Sequence, residues 1–271
     1  MLKGLDLVKH RRSVRTFNKT PLSREDASAI LEYAEKTENP YRLPITWKLL
    51  SAKSDHLSVP VIDGTDMYLA GKMKKAPCAE MAFGYAMEDV VLHAESLGLG
   101  TTWIAGTMDR AAFEEAMELQ DGEVLPCITP LGYPASKMSV REKLMRAGIS
   151  ADSRLPFENI FFSGDFSVPL SRNASGDLAD ILEMVRLAPS AVNRQPWRLV
   201  VDGSRVHFYM QKGKVRLTDS DWDLQKIDLG IAMYHFSYGL EQAGMRADFR
   251  TEDPGIDLPA RTFYISTCII R

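Results

Sequence analysis

Apolar positions along the chain repeat with two different periods, and the switches between them mark out the elements. From Ser23, an S-x-x-D start with Asp26 predicts a helix carrying Ile30, Leu31 and Ala34 on one face and ending before Asn39-Pro40. The run from Pro44 to Ala52 predicts a strand, whereas Lys53 to Met73 shows no clear period and is read as loop-like. Met87, Val90, Val91, Ala94 and Leu97 recur at helical spacing between Gly84 and Leu97, closed by Gly98. Thr101 to Ile104 carries a strand signal, Asp109 caps a short helix reaching Leu119, and Val124 to Leu131 returns as a strand. Further on, Ser175 to Leu187 reads as a helix, and Trp197–Val201 and Arg205–Gln211 as a hairpin around Asp202-Gly203-Ser204. Gly230 to Ala243 is a second long helix and Arg261 to Ile270 a closing strand.

The pattern repeats itself. Pro21-Leu22-Ser23-Arg24 returns as Pro169-Leu170-Ser171-Arg172, and Trp47-Lys48-Leu49-Leu50 is answered by Trp197-Arg198-Leu199-Val200. Gly84, Ala86, Met87, Glu95 and Gly98 match Gly230, Ala232, Met233, Glu241 and Gly244, each 146 positions later (230 − 84 = 146). A period this long indicates a duplicated α+β domain and not a solenoid. The seam is expected in the polar stretch Arg146 to Pro156, which gives halves 1–150 and 151–271.

Two stretches bear chemistry. Arg11-Arg12-Ser13-Val14-Arg15-Thr16-Phe17 gathers forked guanidinium donors and a hydroxyl, the set a phosphate monoester needs; alone such a stretch is more often a solvated basic surface. Ala188-Pro189-Ser190-Ala191-Val192-Asn193-Arg194-Gln195-Pro196-Trp197 is a rigid connection between a helix and a strand. It displays a hydroxyl and two amides able to read the edge of a planar heterocycle, although alone it is equally a polar turn. A phosphate grip together with a ring reader fits a phosphorylated heterocyclic cofactor.

Composition narrows the partners. The 271 residues are 45% apolar and 25% charged with net charge −3, which fits a globular chain and argues against nucleic acid as the main partner. No apolar run approaches a membrane span, and the first residues lack a signal-peptide core, so a cytoplasmic location is expected. Cys78, Cys127 and Cys268 are widely separated and read as thiols. His10, His56, His93, His207 and His235 show no metal-binding spacing, so no metal is expected. Gly98-Leu99-Gly100 follows a helix and lacks a third glycine, so it is no dinucleotide fingerprint.

The arginine stretch, the Ala188–Trp197 stretch, Gly98-Leu99-Gly100-Thr101-Thr102-Trp103-Ile104-Ala105-Gly106 and Leu131-Gly132-Tyr133-Pro134 together resemble the FMN-dependent nitroreductase superfamily. The resemblance implies an α+β nitroreductase-like fold whose two duplicated halves pack as an intramolecular pseudo-dimer. It also implies an oxidoreductase that takes hydride from NADH or NADPH through FMN and delivers it to a small electrophile such as a nitroaromatic or quinone. Reductive dehalogenation, flavin fragmentation, or FMN binding without turnover are the alternatives within the same superfamily. By the same resemblance Arg11, Arg12, Ser13 and Arg15 are assigned to the phosphate and ribityl chain, and Pro189, Ser190, Asn193 and Gln195 to the isoalloxazine ring. Ile104, Ala105 and Gly106 are assigned to the flavin N5 region through a backbone N–H. Where some members have an acidic residue before the glycine, this chain has Ala105. Lys137 and Arg141 are candidates for a further phosphate contact, and Trp222 and Tyr68 for a lid. The arginine segment occurs only in the first half and the ring-reading set only in the second, so one FMN per chain is expected.

Overall fold

The computed structural model describes residues 3–213, 218–219 and 222–271, and divides them into two compact units. The first unit comprises His10–Ala151; the second comprises Lys3–Lys9 together with Asp152–Arg271. The helix α1 (Gly4–His10) thus belongs almost wholly to the second unit, although the sequence placed it with the first half. Its buried residues are Leu7 and Val8, and the Gly4 N–H is anchored on Tyr238 Oη at 3.0 Å. So short an element has too few positions to show a period.

The first unit runs through α2 (Arg24–Ala34), β1 (Thr46–Ser51), β2 (Met67–Lys74), α3 (Ala79–Ser96), α4 (Arg110–Ala116), β3 (Glu123–Val124), β4 (Ile128–Leu131) and α5 (Val140–Gly148). Ser23 caps α2 as its spacing predicts, its Oγ accepting the Asp26 N–H at 3.0 Å. The centre of the sheet is β2, antiparallel to β1, β3 and β4. Its residues Tyr68, Leu69, Ala70 and Gly71 are all buried, so this half of the strand has no polar face and no alternation. That is why it reads as loop in the sequence. Gly71 is required there: a Cβ would lie 2.4 Å from Cζ3 of Trp47. The expected strand from Val124 to Leu131 is divided into β3 and β4, with Pro126, which has no N–H to give a ladder, between them. Residues 101–104 make only isolated bridges, because the Thr102 N–H is taken by the Thr129 hydroxyl at 3.1 Å instead of a strand carbonyl.

The second unit adds β5 (Phe161–Ser163), α6 (Ala179–Leu187), β6 (Trp197–Asp202), β7 (Arg205–Gln211), the short pair β8 (Thr218–Asp219) and β9 (Trp222–Asp223), α7 (Leu224–Gln242), β10 (Ala247–Arg250) and β11 (Thr262–Ile270). Its sheet has the order β10-β11-β7-β6-β5, antiparallel except for β5 against β6. The helix expected from Ser175 begins instead at Ala179, after a 3₁₀ turn in which Gly176 takes φ 52°. Against α6, Gly239 of α7 leaves room for Ile181, whose Cγ2 a Cβ would meet at 2.9 Å.

The repeat is visible element by element: α2 and α6, β1 and β6, and α3 and α7 hold the matched residues. The ends of the long helices agree down to their hydrogen bonds. Gly98 has φ 79° and donates to Glu95, with Leu99 donating to Ala94; Gly244 has φ 75° and donates to Glu241, with Met245 donating to Leu240. Among the described residues no helix is long and apolar enough to cross a membrane.

Candidate functional site

In the first unit, the chain after α1 is extended and held on two sides. The Val14 N–H donates to Thr101 O at 2.8 Å, the Asp63 N–H to Arg15 O at 2.9 Å, and the Phe17 N–H to Asp63 O at 2.8 Å. Val14 packs inward where a Cβ on Gly100 would come within 2.9 Å of it. The pleat therefore turns Ser13 and Arg15 to the opposite side.

The guanidinium groups beside this segment are short of acceptors. Arg11 is only 8% exposed, and burial lowers its pKa; Glu88 and Glu95 oppose that, and Arg146 adds to it. Burial also lowers Arg15, countered by Glu142 and reinforced by Arg146. Arg12 lies 3.6 Å from the buried carboxylate of Glu142, and Arg146 reaches Ser13 O through Nη1 at 3.5 Å. Arg11 Nε, Arg12 Nη1, Arg15 Nε and the hydroxyls of Thr101 and Thr102 are buried with no hydrogen-bond partner among the described residues. Buried donors left unmade each cost about 1–3 kcal/mol. A dianion with several oxygens is the kind of ligand that would satisfy such a set.

Arg146 is the residue the sequence reading missed. Arg141 instead spends Nη1 on Pro60 O at 2.6 Å, and Lys137 is exposed. The signal was present: Glu142 and Arg146 stand four apart, and Ser139 accepts the Glu142 N–H as the cap of α5. The helix itself had not been recognised.

The turn after Thr101 presents backbone. The Ile104 N–H and C=O are both used against Ile128, at 3.0 and 2.9 Å. The N–H groups of Ala105 and Gly106 have no partner among the described residues, and a Cβ on Gly106 would meet nothing within 4 Å. Arg110 fixes this turn from behind: Nη2 donates to Ala105 O at 2.8 Å and Nη1 to Leu125 O at 2.6 Å. An arginine as the first residue of a helix is unfavourable for the helix dipole, a hint in the sequence that it is used elsewhere. Trp103 Nε1 donates to Glu88 at 2.8 Å, so that one carboxylate, which also acts on Arg11, helps to orient both stretches.

In the second unit, Pro189, Ser190, Asn193 and Gln195 lie on one tight turn between α6 and β6. Their polar groups are largely committed to one another and to the chain before α6. The Gln195 N–H donates to Ser190 Oγ at 2.9 Å, and Gln195 Oε1 accepts the Leu155 N–H at 2.9 Å. Gln195 Nε2 donates to Asn193 Oδ1 at 3.2 Å, and Asn193 Nδ2 to Ser153 O at 3.0 Å. Gln195 is buried, so its amide builds the turn, while Ser190 and Asn193 remain partly exposed. Arg198, the second residue of β6, donates to the carbonyls of Gln195 and Trp197; burial lowers it to about 10.

Of the expected lid residues, Tyr68 is a core residue of β2, 3% exposed and edge-on to Phe113, and cannot move as a lid. The side chain of Trp222 lies outside the described residues. None of the three cysteines forms a disulfide, and among the described residues no group of three or more His, Cys, Asp or Glu side chains could hold a metal ion.

Comparison with known proteins gives the fold a place. A family model described as "Putative TM nitroreductase" matches residues 5–240. A solved structure of a "putative nitroreductase" from Thermotoga maritima is 21% identical, covering 99% of this chain and 94% of that one at a TM-score of 0.64. A nitroreductase in complex with FMN from Desulfovibrio desulfuricans is 19% identical, over 51% of this chain and 93% of its own, at a TM-score of 0.42. No curated protein matches.

Proposed function

The chain belongs to the TM nitroreductase family, and from that premise we propose that it is an FMN-dependent oxidoreductase using NADH or NADPH to reduce a small electrophile such as a nitroaromatic or quinone. The observation that carries the FMN assignment is the arginine set around Ser13, whose buried donors on Arg11, Arg12 and Arg15 have no hydrogen-bond partner among the described residues. Its chemistry matches a phosphate, and the fit is to a single-phosphate flavin, since no dinucleotide fingerprint accompanies it.

In this reading Arg11, Arg12, Arg15 and Arg146 bind the phosphate, with the hydroxyls of Ser13, Thr101 and Thr102 beside them. The unengaged N–H groups of Ala105 and Gly106 offer a fixed donor to the ring nitrogen that gains hydride, a contact that needs no side chain and so tolerates Ala105. Ser190 and Asn193 face the ring edge, and Pro189 and Gln195 hold the turn that presents them. When bound, FMN would supply the hydride-accepting and hydride-donating chemistry. The arginine segment and the Ala105–Gly106 turn occur only in the first half and the Ser190–Gln195 set only in the second, so the reading assigns one FMN to each chain. A cytoplasmic location belongs to the same proposal.

Stopped-flow mixing of the flavin-loaded protein with NADH or NADPH tests the activity. Bleaching of the flavin band, reversed by a quinone or nitroaromatic, is the expected result. A bound flavin that neither nucleotide reduces would overturn the reading.

A further inference from the structure

Helix α7 carries a carboxyl group that none of these roles uses. Asp228 is 2% exposed; its Oδ1 accepts the Ala191 N–H at 2.9 Å, and its Oδ2, also buried, has no hydrogen-bond partner among the described residues. Ala191 opens the turn in which Val192, Asn193 and Gln195 take φ of 44°, 57° and 50°. Left-handed backbone is costly for non-glycine residues, most of all for a β-branched one such as Val192. It persists only where the surroundings over-determine it. Ser190 Oγ accepts a bond from within the turn and Ser153 O one from Asn193, whereas the Asp228 bond ties the turn to a long buried helix.

The first unit shows what the turn requires when it carries no ring-reading groups. The residue matching Asp228 is Ala82 (228 − 146 = 82), and the corresponding turn from Pro40 to Thr46 is held locally by Asn39. Asn39 Oδ1 accepts the N–H groups of Tyr41 and Leu43, each at 3.2 Å, and Nδ2 donates to Leu43 O at 2.8 Å. A buried, half-partnered carboxyl group burdens a fold. At this place in the repeat it stands behind the turn bearing Ser190 and Asn193, and Ala82 takes its position in the first unit.

We propose that Asp228 is the positioning residue of this turn, fixing Ala191 and through it the aim of Ser190 and Asn193 at the flavin ring. The inference rests on the assignment of that turn to the flavin. Burial raises the Asp228 pKa to about 8; the Ala191 N–H works against the rise, and Asp223, which caps α7, adds to it. The charges described on the elements packed against α7 are committed elsewhere or exposed. Arg186 of α6 is paired with Glu183, Arg198 of β6 is turned to backbone carbonyls, and His207 of β7 is bonded to Thr267. Asp248 of β10 is paired with Arg250 and Arg271, while Arg194, Asp202 and Arg205 are exposed. At neutral pH Asp228 therefore acts as a neutral acid, and its ionisation puts an anion behind the turn with no salt-bridge partner among the described residues.

FMN titration of the full chain, followed by flavin fluorescence between pH 7 and 9, tests this in the wild type, Asp228→Ala and Asp228→Asn. The alanine variant is expected to bind about tenfold or more weakly at pH 7. The asparagine variant keeps the acceptor and should stay within about threefold of wild type. Wild-type affinity should decline above pH 8 and the asparagine variant's should not; the phosphate's own second ionisation, near roughly 6, lies below this window. Undiminished binding by Asp228→Ala, an Asp228→Asn as weak as the alanine variant, or the same alkaline decline in Asp228→Asn would overturn the proposal. If Asp228→Ala does not fold, the pH profile of Asp228→Asn decides. The double variant Ser190→Ala/Asn193→Ala separates the two levels. Full FMN affinity there sinks the assignment of the turn to the flavin, whereas weakened affinity there with an unaffected Asp228→Ala sinks only the role of Asp228.

Discussion

Arg110 holds the carbonyl of Ala105 at 2.8 Å with one terminal nitrogen while the other holds the carbonyl of Leu125 at 2.6 Å. The fork thereby clamps the turn that presents the Ala105 and Gly106 N–H groups to the segment leading into β4. A lysine carries the charge but offers no rigid fork. Arg110→Lys is therefore expected to retain FMN, whose phosphate the proposed site assigns to other arginines, while the bound flavin is reduced about tenfold more slowly. Rapid-mixing kinetics at saturating NADH or NADPH measure this, and a wild-type reduction rate would remove Arg110 from the account.

The phosphate assignment is tested by pairing two substitutions. Arg15→Ala removes a charge-assisted contact of about 1.5–3 kcal/mol, a loss of roughly tenfold to more than a hundredfold in FMN affinity. Arg146→Ala should fall in the same range. Arg141→Ala, which loses only its bond to Pro60, should change FMN affinity by no more than about twofold. Equal affinities across the three variants would mean that the phosphate lies elsewhere.

Asp228 also leaves a mark on stability. Its folded pKa, about 8, stands above the ordinary carboxylate value of 3.8, so between those limits the folded protein keeps a proton that the unfolded chain releases. The contribution of Asp228 to stability is therefore expected to fall as pH rises from about 4 to about 8, by an amount on the order of several kcal/mol, and to level off above. Asp228→Asn lacks this contribution and should lose less stability across the window. Urea denaturation at pH 5 and pH 8 provides the comparison; identical pH dependence in the two proteins would show that Asp228 ionises freely in the fold.

The parts legible in the sequence were those whose cause is local or repeated. Ser23 declares its helix, Trp47 and Trp197 open matching strands, and Gly98 and Gly244 close matching helices, because a cap or a left-handed residue acts within a few positions. β2 was missed because a strand covered on both faces has no alternation to detect, and Gly71 suggests a loop until Trp47 is seen filling its space. Arg146 was missed because α5 is short and bears exposed Val140 and Leu144 in place of a core face. The amides of Asn193 and Gln195 looked free because Ser153 and Leu155, their partners, lie some forty residues back along the chain. Asp228 was invisible for a related reason, since a carboxylate in a helical pattern is ordinarily read as solvent-facing.

The central claim is that each chain holds one FMN by its phosphate. Calorimetric titration of flavin-free protein with FMN and with riboflavin tests it most directly. The account predicts one FMN per chain and riboflavin binding weaker by about a hundredfold or more, the contribution of several charge-assisted phosphate contacts. Two FMN per chain, or equal affinity for riboflavin and FMN, would contradict it.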